Sequence, residues 1–139
     1  MDIEELRLVY EVGMKGFPPR KPEQPIFYPA LNLEYANEIA KRWNAESQSA
    51  SGYVARFNLD DKYGARFEPQ KVGGSHHVEL WVPSEELSRF NEHILPPIVI
   101  VSAHFGQSEG SDHLRGQTIA WIALKNPLFS PEKHPLCCV

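Results

Sequence analysis

The chain has little cysteine, no long apolar run and no excess of basic charge. Its two cysteines among 139 residues are the adjacent pair Cys137 and Cys138, so no disulfide network can hold the fold together. No stretch approaches the ~18 consecutive apolar residues of a membrane span. The acidic segment 1–5 also lacks the pattern of a secretory signal. We therefore expect a cytoplasmic protein with no membrane partner.

The charge balance is mildly acidic, with 14 Lys and Arg against 18 Asp and Glu. A protein that binds nucleic acid stably usually carries a basic patch or stripe, so we expect no stable nucleic-acid binding. The length suits one domain. We predict a domain over 1–106 and an extension over 107–139, which can add one strand at 118–124 before an irregular tail.

Several catalytic signatures are also missing. There is no P-loop, no G-x-G-x-x-G, no H-E-x-x-H, no C-x-x-C and no G-x-S-x-G. The two cysteines have no basic neighbour that would activate a thiol. These absences argue against kinases, zinc hydrolases, serine esterases and thiol enzymes.

Hydrophobic periodicity predicts a mixed α+β fold. Asn32 can cap a helix whose apolar stripe contains Leu33, Ala36, Ile39, Ala40 and Trp43. The pair Pro96–Pro97 is expected to end the connection before a β-branched strand. The predicted helices span 2–14, 33–43 and 83–91, with a short helical turn at 60–63. The main strands span 53–59, 78–82 and 98–101, with a short edge strand at 25–29.

Proline is abundant, and five of the 12 prolines crowd residues 18–29. Because proline presets φ and lacks a donor, residues 17–24 should form a stiff extended loop carrying Arg20 and Gln24. Such a loop can hold Arg20 ready for an anion, since little entropy is lost on ordering. A rigid connector explains it equally well, and a ligand for a proline-recognition module ranks last. Tyr28 could stack on a planar ligand or pack in the core.

The segment after Gly73 and Gly74 carries the most informative polar residues. In a strand over 78–82, period two places His77, Glu79 and Trp81 together on the face opposite Val78, Leu80 and Val82. This face is either a polar site with an apolar wall or a solvated sheet surface, and the pattern alone favours the second.

The histidines suggest no metal site. His76 and His77 are adjacent, and successive side chains on a strand point to opposite faces. The pair is therefore not expected to chelate one ion. The other histidines have no ligand spacing, so we predict that no metal is bound.

Three segments resemble small bacterial proteins labelled "ADP-ribosylation/crystallin". These segments are 17–20 (FPPR), 22–29 (PEQPIFYP) and 77–83 (HVELWVP). The resemblance extends over roughly residues 3–104. The order of elements is similar to the ADP-ribosyltransferase fold, which implies a split sheet with two or three helices.

The resemblance implies an NAD-dependent ADP-ribosyltransferase or NAD glycohydrolase, with NAD as substrate and no metal. It makes Glu79 the catalytic glutamate, which stabilises the oxocarbenium-like ribose. His77, two positions earlier, corresponds to the residue that helps to choose the acceptor. Tyr28 would stack on nicotinamide and Arg20 would neutralise the pyrophosphate. Gln24 and Trp81 complete the expected cofactor-binding set.

The chain departs from this pattern at its start. Relatives begin with a short Tyr-Arg-Pro strand before the first helix, whereas this sequence starts at the helix. The alternative is therefore a non-enzymatic, partner-binding or immunity-like module of the same fold. The sequence does not specify the macromolecular acceptor or partner.

Overall fold

The structure, a computed structural model, describes residues 1–44, 51–106 and 137–138. Its helices are α1 (Ile3–Glu11), α2 (Leu33–Ile39), α3 (Asp61–Gly64) and α4 (Leu87–Glu92), with a π-helical turn Ala40–Asn44 after α2 and a 3₁₀ turn Ser84–Glu86 before α4. Its strands are β1 (Ile26–Phe27), β2 (Ser51–Leu59), β3 (Gln70–Lys71), β4 (Val78–Glu79), β5 (Val82–Pro83), β6 (Ile94–Phe105) and β7 (Cys137–Cys138). The α+β class is confirmed. The strand predicted at 118–124 lies outside the described residues.

The strands form three small sheets in the described part of the chain. The long strands β2 and β6 pair antiparallel, and β7 joins β6 in parallel. The other two sheets are the antiparallel pairs β1–β5 and β3–β4. The β2–β6 ribbon carries much of the core, and β4 carries Glu79, one of the polar residues described below.

Local signals fix the starts of three helices. The side chains of Asp2, Asn32 and Asp60 each accept a hydrogen bond from the backbone N–H three residues later, which satisfies an otherwise unpaired donor of the first turn. The predicted cap at Asn32 is confirmed. Helix α1 ends just before Gly13, whose φ of +74° suits glycine. Residues 17–24 contain no helix or strand, as their prolines predict, but the loop is not extended throughout, because the N–H of Gln24 donates to the carbonyl of Lys21 at 2.9 Å and closes a turn.

An aromatic cluster lies at the centre of the core. Phe90 of α4 is 0% exposed. Its ring meets four other aromatic rings at centroid distances of 5.7–6.2 Å, those of Phe27, Phe57, Tyr63 and Phe67. Edge-on contacts of this kind add to the stabilisation that comes from burial alone. One α4 side chain thus connects β1, β2, α3 and the segment that follows α3.

The predicted apolar stripe of α2 is wrong at both ends. Leu33 and Trp43 are 58% and 61% exposed, whereas Tyr35 is buried. The reason is a polar contact far along the chain, because the hydroxyl of Tyr35 reaches the carboxylate of Glu79. Periodicity counts apolar residues and gives no weight to a tyrosine that can satisfy a buried acid.

The predicted continuous strand at 78–82 is also wrong. Residues 78–79 pair with β3, residues 82–83 pair with β1, and Leu80 between them donates its N–H to the carbonyl of Pro29. His77 precedes β4 in a turn, so the predicted face is correct for Glu79 and Trp81, which are hydrogen-bonded, and wrong for His77. Glu79 is only 8% exposed, although the pattern favoured a solvated position.

The proline pair at 96–97 lies inside a strand and does not end a connection as predicted. Arg56 pairs with Val99 and Asn58 with Leu95, so three residues of β6 stand opposite Phe57 alone. This irregularity frees both prolines from donating to the ladder, which explains how a strand tolerates them. None of the described helices is long and apolar enough to cross a membrane.

Tyr63 should make the fold sensitive to alkali. Burial, and then the hydrogen bond that its hydroxyl donates to Glu86 (2.7 Å), raise the pKa of Tyr63 to about 12 from an ordinary 10.0. The folded state holds this proton more tightly, so the stabilisation is complete below about pH 10 and is lost as the pH rises towards 12. Denaturant unfolding across this range should show a smaller loss of stability in Tyr63→Phe. Tyr28→Phe, at a half-exposed position, should behave like the parent; an equal change in both variants would contradict the assignment.

Candidate functional site

A cleft of about 290 Å³ opens between α1, the proline-rich loop, α2 and β2. Its walls combine polar groups with the rings of Phe17, Phe27 and Phe57. Three of the predicted binding residues line it, namely Arg20, Gln24 and Tyr28. A concave hollow in which polar groups converge beside aromatic rings is the usual form of a small-molecule site. We call this hollow the Arg20 cleft.

Arg20 is the principal charged group of the cleft. Its Nη1 donates to Oε1 of Glu5 at 2.8 Å, and its guanidinium lies 5.6 Å from the centroid of the Phe27 ring. Its side chain is only 15% exposed, and its Nε is buried with no hydrogen-bond partner among the described residues. A guanidinium offers five N–H donors. Arg20 therefore has donor capacity for an acceptor that enters the cleft.

A contact between two aromatic rings connects the Arg20 cleft to Glu79. Tyr28 and Trp81 meet edge to face with centroids 6.4 Å apart, and both are about half exposed. Trp81 lies outside the cleft and donates its Nε1–H to Oε1 of Glu79 at 3.0 Å. The structure thus brings Tyr28, Trp81 and Glu79 into one neighbourhood at the edge of the cleft.

Both oxygens of the Glu79 carboxylate are hydrogen-bonded. Oε2 accepts the hydroxyl hydrogen of Tyr35 at 2.8 Å, while Oε1 accepts from Trp81. Burial, and then this hydrogen bond, raise the pKa of Tyr35 to about 12, so its hydroxyl remains a donor at neutral pH. A buried acid needs such partners. Each oxygen can accept one further hydrogen bond, but at 8% exposure Glu79 can be reached by a substrate only when a neighbouring side chain such as Trp81 moves.

His76 and His77 converge on one carboxylate, contrary to the expectation that adjacent histidines diverge. Their Nε2 atoms lie 2.8 and 2.7 Å from the two oxygens of Glu38. The expectation was wrong because both residues lie in a turn and not on a strand. Hydrogen bonds from His76 and then His77 lower the pKa of Glu38. We call Glu38, His76 and His77 the histidine cluster.

The glycine turn fixes the tautomer of His77. The backbone N–H of Gly74 donates to Nδ1 at 3.0 Å, so Nδ1 is unprotonated and Nε2 carries the hydrogen that is donated to Glu38. The His77 ring also stacks on Tyr35, with centroids 4.7 Å apart. His77 is therefore linked to Glu79 through Tyr35 and has no direct hydrogen bond to it among the described residues.

Gly73 tests this arrangement. A Cβ at position 73 would lie 2.6 Å from Nδ1 of His77, too close for either atom to remain in place. Gly73→Ala should displace the ring, break its bonds to Gly74 and Glu38, and lower the free energy of unfolding by about 1–3 kcal/mol. At Gly74 the nearest atoms would be an ordinary 3.6 Å away. Gly74→Ala should therefore cost no more than about 0.5 kcal/mol. Thermal or denaturant unfolding compares the two, and equal stabilities would rule out the proposed clash.

Sequence reasoning missed Tyr35 and Glu38, the two helix residues that organise this site. One signal was available, since Glu34, Tyr35 and Glu38 place polar groups on successive turns of a short helix. Their partners lie 38–44 residues away, and periodicity cannot identify such pairs.

Comparison with protein-family models, with curated proteins and with solved structures finds no match to this chain. Its function must be argued from its own residues.

Proposed function

We propose that the Arg20 cleft binds NAD or a closely related nucleotide, and that Glu79 acts on the bound molecule. The observation that carries this proposal is the continuity of three features, namely a cleft that contains a guanidinium, the half-exposed ring of Tyr28 in contact with that of Trp81, and the carboxylate of Glu79 hydrogen-bonded to Trp81. A dinucleotide presents phosphates, flat rings and a ribose, and each has a matching group here.

The binding roles follow from chemistry. Arg20 has spare donors suited to phosphate oxygens, and Gln24 of the same loop offers an amide beside it. Tyr28 is 48% exposed and offers a ring face to nicotinamide or adenine. The cleft of about 290 Å³ is at the small end of ligand sites. We therefore expect it to enclose part of the nucleotide and leave the rest along the surface near Trp81.

The proposed reaction is ADP-ribosyl transfer or NAD glycohydrolysis. When the bond between nicotinamide and ribose breaks, its electron pair leaves with nicotinamide and positive charge develops on the ribose. A carboxylate held beside the sugar stabilises that charge more in the transition state than in the substrate. Trp81 must first move from Oε1, while Tyr35 can keep Oε2 in place. His77 then acts through the Tyr35 ring as a positioning residue.

A second candidate is a non-enzymatic module that binds a nucleotide or a partner without chemistry. It is favoured by the occupied state of Glu79, both of whose oxygens are hydrogen-bonded in a buried position. In this second candidate the carboxylate has a structural role and holds Tyr35 and Trp81 in place. The two candidates share the Arg20 cleft and differ in whether nicotinamide is released.

Thermal unfolding with and without NAD tests the shared step. A ligand that binds only the folded state raises the melting temperature in proportion to RT ln(1 + [L]/Kd), and we expect such a rise for the parent chain. Arg20→Gln should abolish the rise, whereas Lys21→Gln, at the neighbouring exposed position, should retain it. No rise in the parent, or an undiminished rise in Arg20→Gln, would reject the cleft as the NAD site.

A further inference from the structure

We infer that the histidine cluster binds a divalent transition-metal ion of the zinc type. This site is separate from the Arg20 cleft, none of whose lining residues belongs to the cluster. It does not depend on NAD binding.

The three donors of the histidine cluster match the ligands that zinc prefers. Glu38, His76 and His77 each offer one ligand atom, and these atoms all lie within 4.8 Å of one another. Two imidazoles and one carboxylate form a set that zinc accepts, with a fourth position left for water. The three side chains are 25–30% exposed, so an ion can reach them from solvent. Glu34, whose Oε1 lies 3.9 Å from Nε2 of His76, adds negative charge at the same place.

The fold holds the three donors close together by several contacts. The two histidines lie in a tight turn closed by backbone bonds from Val72 to His77 and from His77 to Gly74. Glu38 lies on α2, and Tyr35 of the same helix supports the His77 ring. Side chains already brought together in this way lose less entropy on binding an ion than unsupported ones, although His77 must still give up its present hydrogen bonds. A surface pair of histidines without such support would bind only weakly.

Binding should rearrange the turn. An Nε2 that ligates a metal cannot keep its hydrogen, so in the neutral ring the proton moves to Nδ1. In His77 that nitrogen now accepts from the N–H of Gly74, and two N–H groups would then face each other. The Nε2 atoms of the two histidines now lie 2.8 and 2.7 Å from the Glu38 oxygens. An ion placed between these atoms, at about 2.0–2.1 Å from each nitrogen, requires nitrogen and oxygen to move slightly apart. Gly73 and Gly74 permit this change, because glycine tolerates many backbone conformations.

The test uses Zn²⁺ for calorimetry and Co²⁺ as a coloured substitute. The full chain is stripped with a chelator and carries Cys137→Ser and Cys138→Ser, which removes the thiols that would otherwise compete. We expect one equivalent of ion per chain and a Co²⁺ visible spectrum typical of four-coordinate nitrogen and oxygen ligands. His76→Ala, His77→Ala and Glu38→Gln should each weaken binding by at least about tenfold.

Controls separate this site from other histidines. His93→Ala should bind like the parent, since the half-buried ring of His93 lies against Tyr63, with centroids 4.0 Å apart, and hydrogen-bonds to the carbonyl of Arg89, well apart from the histidine cluster in its contacts. His113→Ala and His134→Ala should also bind like the parent. Circular dichroism checks that each variant is folded, and His76→Gln replaces His76→Ala if that variant is not. The amide resonance of Gly74 should shift on adding Zn²⁺. Absence of binding, or binding that persists undiminished in folded His76 and His77 variants, would overturn the inference.

Discussion

Phe90→Ala is expected to lower the free energy of unfolding by about 3–5 kcal/mol, the range for truncating a fully buried phenylalanine. Phe90 is 0% exposed and contacts four aromatic rings. Because those rings come from separate elements, the cavity left behind cannot be closed by one side chain alone. A single-domain protein is commonly stable by only about 5–15 kcal/mol, so this variant should be close to unfolding.

The matched control is Leu95→Ala. Leu95 is apolar and follows the buried Ile94 on β6, but it is itself 54% exposed. Its truncation should change the stability by no more than about 0.5 kcal/mol. Urea unfolding followed by circular dichroism measures both variants. A loss of similar size in each would show that Phe90 is not the centre of the core.

Glu79→Gln should reduce release of nicotinamide from NAD by at least about a hundredfold, the usual effect of removing one electrostatic stabiliser of a transition state. This expectation rests on the proposed reaction. The amide is nearly the same shape as the carboxylate, and it can still accept from Trp81 and donate to the oxygen of Tyr35. The fold and NAD binding should therefore be retained while catalysis is lost.

Glu86→Gln is a close control, because Glu86 also accepts a tyrosine hydroxyl, from Tyr63 at 2.7 Å. It should keep full activity. If the parent binds NAD but releases no nicotinamide, the non-enzymatic candidate replaces the enzyme. If Glu79→Gln is as active as the parent, Glu79 has no part in the chemistry. High-performance chromatography of free nicotinamide distinguishes these outcomes.

The parts of the fold that could be predicted from sequence depend on local physics. The N-cap at Asn32, the short helix after Asp60 and the proline-rich loop each follow from a few neighbouring residues. The edge strand at Ile26–Phe27 follows from the prolines on either side of it. These features require no knowledge of what the chain packs against.

The rest could not be predicted because it depends on distant partners. The burial of Glu79 requires Tyr35, 44 residues away, and the convergence of the two histidines requires Glu38 on the same helix. The break after Glu79 arises because Leu80 bonds to the loop at Pro29. Each depends on tertiary contacts that a period-two pattern cannot contain. Arg20, Gln24 and Tyr28 do line a common cleft, as their shared loop suggested.

The contact between Arg20 and Glu5 has a consequence for any ligand of the cleft. Glu5 belongs to α1 and already occupies one donor of the guanidinium at 2.8 Å. An incoming anion must therefore displace Glu5 from Arg20 or share the guanidinium with it. Its apparent affinity is the difference between its own interaction with Arg20 and that of Glu5. An anion bound in the cleft would weaken the contact that holds α1 to the proline-rich loop. Faster amide exchange in α1 would therefore report that the cleft is filled.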